Sequence, residues 1–261
     1  MKLSIIVPCY NEAANIQKLH DELLPVVEEL VIHGWHDASK EIHSAEIIFV
    51  DDGSRDETFS KLKEVLSGSG TKPGVVFKFL KHDINLGLGA AIRTGFSKAD
   101  GDIVITVDSD GTYKLSEIPN FLSFLTPDVD IVTASPYHPD GGVVGVPANR
   151  LFLSKGSSFL YRILVDRHVY TYTCLFRAYR SEVIKNISFS SNGFLAGTEV
   201  LVKAILKGYR VAEFPAVLHR RMYGVSKAKI METIFSHLSF QGRIFLYRLK
   251  LMFGHKPKQA I

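Results

Sequence analysis

The feature that most constrains this chain is an alternation of apolar runs of strand length with segments of helical period. "LSIIVPCY" (3 to 10) predicts a strand, and "EAANIQKLHDELLPVVEELVI" predicts a helix, with Ile16, Leu19, Leu23, Val26, Val27 and Leu30 recurring near 3.6 residues. "AEIIFVDDGS" predicts a second strand ending in a turn and "DETFSKLKEVLS" a helix. "GVVFKFLKH" then predicts a third strand, "GLGAAIRTGFSKA" a helix and "DIVITVDSD" a fourth strand. Three consecutive strand–helix units with near-continuous Val, Ile and Phe strands imply an α/β fold: an open, mainly parallel sheet covered on both faces.

Composition narrows the function classes. A chain of 261 residues, 46% apolar and 22% charged, has enough apolar material for one large or two small cores. The 31 basic against 27 acidic residues leave +4, too mild to argue for nucleic acid, although the basic excess gathers late in the chain. Cys9 and Cys174 are the only cysteines, without CxxC or Cys/His metal spacing, so neither a disulfide framework nor a zinc site is expected, and a reducing cytoplasm fits. The apolar stretch in "MKLSIIVPCYNE" is too short for a signal peptide, and no run of ~18 apolar residues is present. The expectation is a protein not integral to a membrane.

In open α/β sheets, ligands sit beyond the carboxyl ends of the strands. There the sequence places Tyr10, Asn11 and Glu12 after the first strand, Asp51 and Asp52 after the second, and Asp108 and Asp110 after the fourth. Taken alone, the Asp108-Ser109-Asp110 triplet reads either as turn capping or as a site for a divalent cation, since Asp, Ser and Gly are ordinary turn residues. The convergence of three acidic clusters at one edge favours the cation, because carboxylates crowded together repel and hard oxygen donors suit Mg²⁺ or Mn²⁺. Thr112 would add a hydroxyl near the metal or cap the turn.

"IIVPCYNEAANI", "IIFVDDGSRDET", "NLGLGAAIRTGF" and "VDSDG" occur in the order and spacing of the family 2 glycosyltransferases of GT-A fold, which the chain resembles. "GGVVGVPANRLFLSKGSSFLYRIL", "TCLFRAYRSEVI" and "GYRVAEFPAVLHRRMYGVSKAK" resemble the branch containing dolichyl-phosphate mannose synthase, over roughly residues 3 to 230. The resemblance implies a catalytic GT-A domain over 1–228 and a metal-dependent, inverting transfer of a hexose from a nucleotide-diphosphate sugar to a polyprenyl phosphate. GDP-mannose is the favoured donor, with UDP-glucose close behind. By position, Pro8, Tyr10, Glu12, Val50 and Asp52 would cradle base and ribose. Asp108, Ser109 and Asp110 would hold metal and diphosphate, Arg221 and Lys227 the donor phosphates, and Arg150 and Ser154 the acceptor phosphate.

The chemistry agrees with that implication. A phosphate monoester has a second pKa of about 6 and attacks near neutral pH as a dianion without a general base. What remains is to bring two polyanions together and stabilise the departing diphosphate, which needs cations. "HRRMYGVSK" supplies Arg220, Arg221 and Lys227, and "NRLFLSK" supplies Arg150, Ser154 and Lys155; Arg150 and Ser154, four apart, share a face if the segment is helical. Two positions depart from the family: Pro136 stands where an Arg is common and Thr171 where an Asp is common. His138 or Lys155 would have to compensate, or the acceptor or sugar differs. Glu199 falls where the family often carries an acidic residue, which for a phosphate acceptor would order the site. The rival readings are transfer to a glycan or other hydroxyl acceptor, and a nucleotide-sugar-binding subunit without turnover.

"GLGAAI" mimics the start of a dinucleotide fingerprint but lacks its third glycine and opens the third helix, so helix-start packing explains it. Trp35, His33, His36 and His43 cluster between the first helix and second strand, where a surface loop or helix end is expected. Residues 229–261 form a basic amphipathic segment, with Ile230, Ile234, Leu238, Phe245, Leu249 and Met252 near helical spacing and Lys229, Arg243, Arg248, Lys250, Lys256 and Lys258 interspersed. Such a helix would lie in an anionic headgroup layer, pack on its own domain, or form a dimer contact. A polyprenyl acceptor favours the membrane surface and a cytoplasmic, peripheral enzyme.

Overall fold

The computed structural model describes residues 1–34, 41–67, 73–221, 223 and 229–253. The three anticipated units are present: β1 (Lys2–Cys9), α1 (Ile16–His33), β2 (Ser44–Asp51), α2 (Thr58–Ser67), β3 (Val75–Lys81), α3 (Leu88–Lys98) and β4 (Ile103–Thr106). There follow α4 (Ile118–Ser123), β5 (Ile131–Ser135), β6 (Gly142–Val144), α5 (Ala148–Leu164), β7 (Arg177–Arg180), α6 (Ser181–Asn186), α7 (Ala196–Leu206), β8 (Val211–Pro215), β9 (Val217–His219) and α8 (Ile230–Met252).

Seven strands form one sheet in the order β3-β2-β1-β4-β7-β5-β8. Only β7 runs antiparallel to its neighbours, inserted between β4 and β5. β6 and β9 make a separate two-stranded parallel sheet. The strand period of two divides the core: Leu3, Ile5 and Val7 face α1 and α4, whereas Ile6, Ile48, Val50 and Val104 join Ala91 of α3 on the other side. A second core lies under α5, α7 and α8, where Tyr161, Tyr172, Val200, Phe240 and Ile244 are buried together.

The chain builds outward from β1 through β2 to β3 and then returns to place β4 on the other flank of β1. The strand order therefore reverses between β1 and β4. Their carboxyl ends open a crevice there, and the acidic clusters stand on its rim.

Candidate functional site

The rim is assembled by loops that staple one another. Asn11 adopts φ +53, unusual for a residue with a side chain. Its amide donates to Ser54 Oγ at 2.9 Å, while its Oδ1 accepts from the Arg55 amide at 2.9 Å. The Glu12 amide donates to Thr58 Oγ1 at 2.8 Å. "YNE" after β1 is thus fixed in place by "DDGSRDET" after β2. Gly53 sits at φ +70, where a Cβ would run into the Ile84 backbone, so the close approach of the next loop requires glycine.

Asp52 organises that next loop. Its Oδ1 accepts from the Leu86 amide at 3.0 Å and pairs with His82 Nδ1 at 2.7 Å; its Oδ2 accepts from the Gly87 amide at 2.8 Å and Asn85 Nδ2 at 2.7 Å. Gly87 (φ +99) and Gly89 press against the backbone of Asn192 and Ser191, and the Gly89 amide donates to Asn192 O at 2.7 Å. Close packing at the start of α3 accounts for "GLGAAI", as expected.

At the crevice floor stand Asp108 and Asp110. Arg221 bridges two carboxylates, donating from Nη2 to Glu12 Oε1 at 2.6 Å and from Nε to Asp110 Oδ2 at 3.1 Å. Asp110 Oδ1 accepts from the Thr112 amide at 3.1 Å and hydroxyl at 2.8 Å, so Thr112 caps the turn. Among the described residues, none donates a hydrogen bond to Asp108. Burial, followed by the neighbouring charge of Asp110, pushes its carboxyl up to about 7, despite Arg150 and Arg221. Burial likewise holds Glu12 above the usual carboxylate range, with Arg221 opposing. A divalent cation would relieve this crowding, and the all-oxygen donor set suits Mg²⁺ or Mn²⁺. Among the described residues no group of three or more His, Cys, Asp or Glu could hold an ion alone, so the rest of such an ion's shell would come from ligand oxygens and water.

Two cavities meet at this floor. One, of about 160 Å³, is lined by Pro8, Tyr10, Glu12, Asp52, Asn85 and Ser109, among others. The second, of about 130 Å³, is lined by Tyr137, Ser154, Thr171 and Thr173, among others. Asp108, Asp110 and Arg150 belong to both. The residues 148–164 are helical, and Arg150 and Ser154 of α5 both reach the second cavity. Ser154 Oγ accepts from the Tyr137 hydroxyl at 2.7 Å and lies 2.6 Å from Thr173 Oγ1.

Other anticipated residues fall elsewhere. Val50 is fully buried beside Ile6 and Ala91, and its side chain does not line the crevice. Arg220 is exposed, its amide bonded to Val144 O. Lys227 lies outside the described residues, as do Trp35 and His36. Glu199 is buried away from both cavities, accepting from the Ser190 and Ser191 amides at 3.2 and 2.9 Å and pairing with Lys203 at 2.8 Å. It orders the loop against which α3 starts. Pro136 and Thr171 are neighbours: Thr171 Oγ1 lies 2.7 Å from Ser135 Oγ and accepts from the Tyr137 amide at 3.4 Å. The two departures from the family thus alter one wall of the second cavity. His138 stands 3.6 Å from Asp140 and does not line that cavity, while Lys155 Nζ lies over the Tyr137 ring at 5.5 Å.

Asn85, Tyr137, Thr173 and Phe194 line the site without having been singled out from sequence. The only signal for Asn85 was its place in "NLGLGAAI"; the other three stand in segments with no local pattern.

The family model for glycosyl transferase family 2 matches residues 4–188. The chain is 30% identical over 240 residues to the polyprenol monophosphomannose synthase of Mycolicibacterium smegmatis, covering 88% of this chain and 83% of that protein. It is 31% identical over 240 residues to the dolichol-phosphate mannosyltransferase of Pyrococcus furiosus, covering 91% of this chain but 62% of that longer protein. Among solved structures, glucosyl-3-phosphoglycerate synthase from Mycobacterium tuberculosis with Mn²⁺, UDP-glucose and phosphoglyceric acid superposes with a TM-score of 0.61 at 16% identity, over 98% of this chain and 81% of that one. S. aureus TarS 1–349 gives 0.52 at 21% identity, over 84% and 60%. These likenesses bear on the fold, which is of the GT-A kind.

Proposed function

Because the chain belongs to glycosyl transferase family 2, we propose that it transfers a hexose, mannose foremost, from a nucleotide-diphosphate sugar to a polyprenyl phosphate, with inversion, at the cytoplasmic face of a membrane. The observation that carries the acceptor is the carboxylate inventory of the second cavity. Among the described residues lining it, the acids are Asp108 and Asp110 alone. Both are committed to the floor shared with the donor cavity, which leaves no separate base for a hydroxyl acceptor. A phosphate dianion needs none.

In this reading the first cavity takes the nucleotide, with Pro8 and Tyr10 beside the base and Glu12 near the ribose. Asp52 fixes the Asn85–Gly87 wall. Asp108 and Asp110 would hold Mg²⁺ or Mn²⁺, which when bound offsets charge on the leaving diphosphate. Arg221 turns from its carboxylates to the diphosphate, joined by Lys227 from the segment that follows it. Arg150 and Ser154 orient the acceptor phosphate across the shared floor, opposite the leaving group, as a single displacement with inversion requires. GDP-mannose is the favoured donor, with UDP-glucose second. The two named mannose synthases support the first.

The neutral wall formed by Pro136 and Thr171 favours one alternative, a glycan or other hydroxyl acceptor. A transfer assay decides between them: purified protein, Mg²⁺ or Mn²⁺, a short-chain polyprenyl phosphate and a panel of labelled nucleotide sugars, read by label extracted into organic solvent. Label in lipid from one donor is the expected result. Metal-dependent donor binding without lipid labelling would overturn the acceptor.

A further inference from the structure

The residues common to both cavities are, among those described, Leu88, Asp108, Asp110, Arg150, Leu175 and Phe194. Their junction is therefore part charged and part apolar. Leu175 is buried in the core under α5, α7 and α8, and Leu88 packs against the same cluster. Phe194 differs: it is 42% exposed, a large apolar residue left open at a polar site. The loop that carries it is braced on both sides. The Ser190 and Ser191 amides donate to the buried Glu199 carboxylate, and Arg93 of α3 donates to Phe189 O at 3.2 Å and to Asn192 Oδ1. The Gly193 carbonyl accepts from the Ala196 amide at 3.2 Å. Gly87 and Gly89 close against the backbone of Asn192 and Ser191, which brings Leu88 beside the same loop. Phe194 is thus presented on a fixed mount.

We propose that Leu88, Leu175 and Phe194 form the seat of the transferred hexose, with Phe194 meeting the C–H face of its ring. The proposal rests on the transfer reading above. A single displacement holds the anomeric carbon between the leaving diphosphate and the attacking phosphate, so the hexose has to lie in the space that the two cavities share. A hexose is two-sided, with a face of C–H groups and a rim of hydroxyls. The junction answers both. Carbohydrate C–H groups carry partial positive charge, which suits the negative face of a phenyl ring. The hydroxyls suit Asp108, Asp110 and Arg150, which bring acceptors and a donor to the same space. Other occupants fit the shared position less well. A nucleobase needs the first cavity alone, where Pro8 and Tyr10 stand, and an isoprene unit of the acceptor needs only the second.

Saturation-transfer NMR of the full chain with GDP-mannose or UDP-glucose and Mg²⁺ tests the seat, because it reads base and hexose protons of one ligand together. Wild-type protein is expected to saturate both. Phe194→Ala should lose saturation at the hexose protons and keep it at the base, and Phe194→Tyr, which retains a ring, should restore the hexose signal. In kinetics, Phe194→Ala should lower kcat/KM for transfer about tenfold or more, with the Kd for GDP or UDP unmoved. Hexose saturation in Phe194→Ala equal to that in wild type would overturn the proposal. So would loss at base and hexose alike in both variants, which would make Phe194 a support of the loop, and so would wild-type protein that binds neither donor. Saturation in the expected pattern without label reaching lipid would count against the polyprenyl acceptor and leave the seat standing. Lipid labelled equally by wild type and Phe194→Ala would leave the transfer standing and remove the seat.

Discussion

The Arg221 guanidinium is bound to the Asp110 carboxylate, Nε to Oδ2 at 3.1 Å, and the same side chain reaches Glu12. This arginine places its positive charge on the same floor that a divalent cation would neutralise. In the proposed reaction the donor diphosphate would draw it off. Arg221→Gln should therefore lower kcat/KM about 10²-fold or more, the scale for losing a donor to a developing charge. Weakened donor binding in calorimetry would accompany it. Unchanged kinetics would show that Arg221 serves only to neutralise Glu12 and Asp110.

Asp110→Ala is expected to abolish transfer and the metal dependence of donor binding. Titration of Mn²⁺ into protein with nucleoside diphosphate, followed by electron paramagnetic resonance, measures this directly. Full activity in that variant would remove the metal from Asp108 and Asp110.

Asp52 accepts four hydrogen bonds from one loop, so its loss should be felt in stability as well as in activity. Asp52→Ala leaves the Leu86 and Gly87 amides without their acceptor, a destabilisation of about 2–3 kcal/mol at each or less if water enters. A lower midpoint in thermal unfolding together with weaker nucleotide binding is the expected pair of results. An unchanged midpoint would mean that the loop holds itself.

Ser154→Ala removes the hydroxyl between Tyr137 and Thr173 in the second cavity. The KM for polyprenyl phosphate should rise about tenfold, corresponding to ~1.4 kcal/mol, with the KM for donor unmoved. Equal effects on both substrates would contradict the division of the cavities.

His237 gives a pH dependence. Burial lowers its pKa from the ordinary 6.5 to about 4, so the folded chain stays neutral where the unfolded chain already takes up a proton. Stability is full above about 6.5 and declines as pH falls towards 4, by up to ~3 kcal/mol. Thermal unfolding between pH 7 and pH 4.5 should show this acid loss reduced in His237→Gln, against the background of the carboxylates.

The core units were legible because both faces of β1, β2 and β4 are buried, which turns each strand into a continuous apolar run. The strand-end clusters were legible for the same reason, since the run stops where the sheet meets solvent. β7 was not: "RAYR" carries polar groups into the sheet, and Arg177 is fully buried with its guanidinium bonded to Thr133 Oγ1 and the carbonyls of Tyr172 and Gly197. The stripe read on α8, with Ile230, Leu238, Phe245 and Met252, proves to face outward. The inward face includes His237 and Gln241, whose burial depends on hydrogen bonds to α5 that hydropathy cannot register. For α5 the exposed apolar residues Phe152, Phe159 and Ile163 give no local sign of their direction, because period alone does not say which side meets the core.

Asp108, Asp110 and Arg150 line both cavities, so the two spaces share one set of charges. Occupying either space resets the field that a second molecule must enter. The order of arrival is thereby coupled through electrostatics, without any moving part between the two cavities.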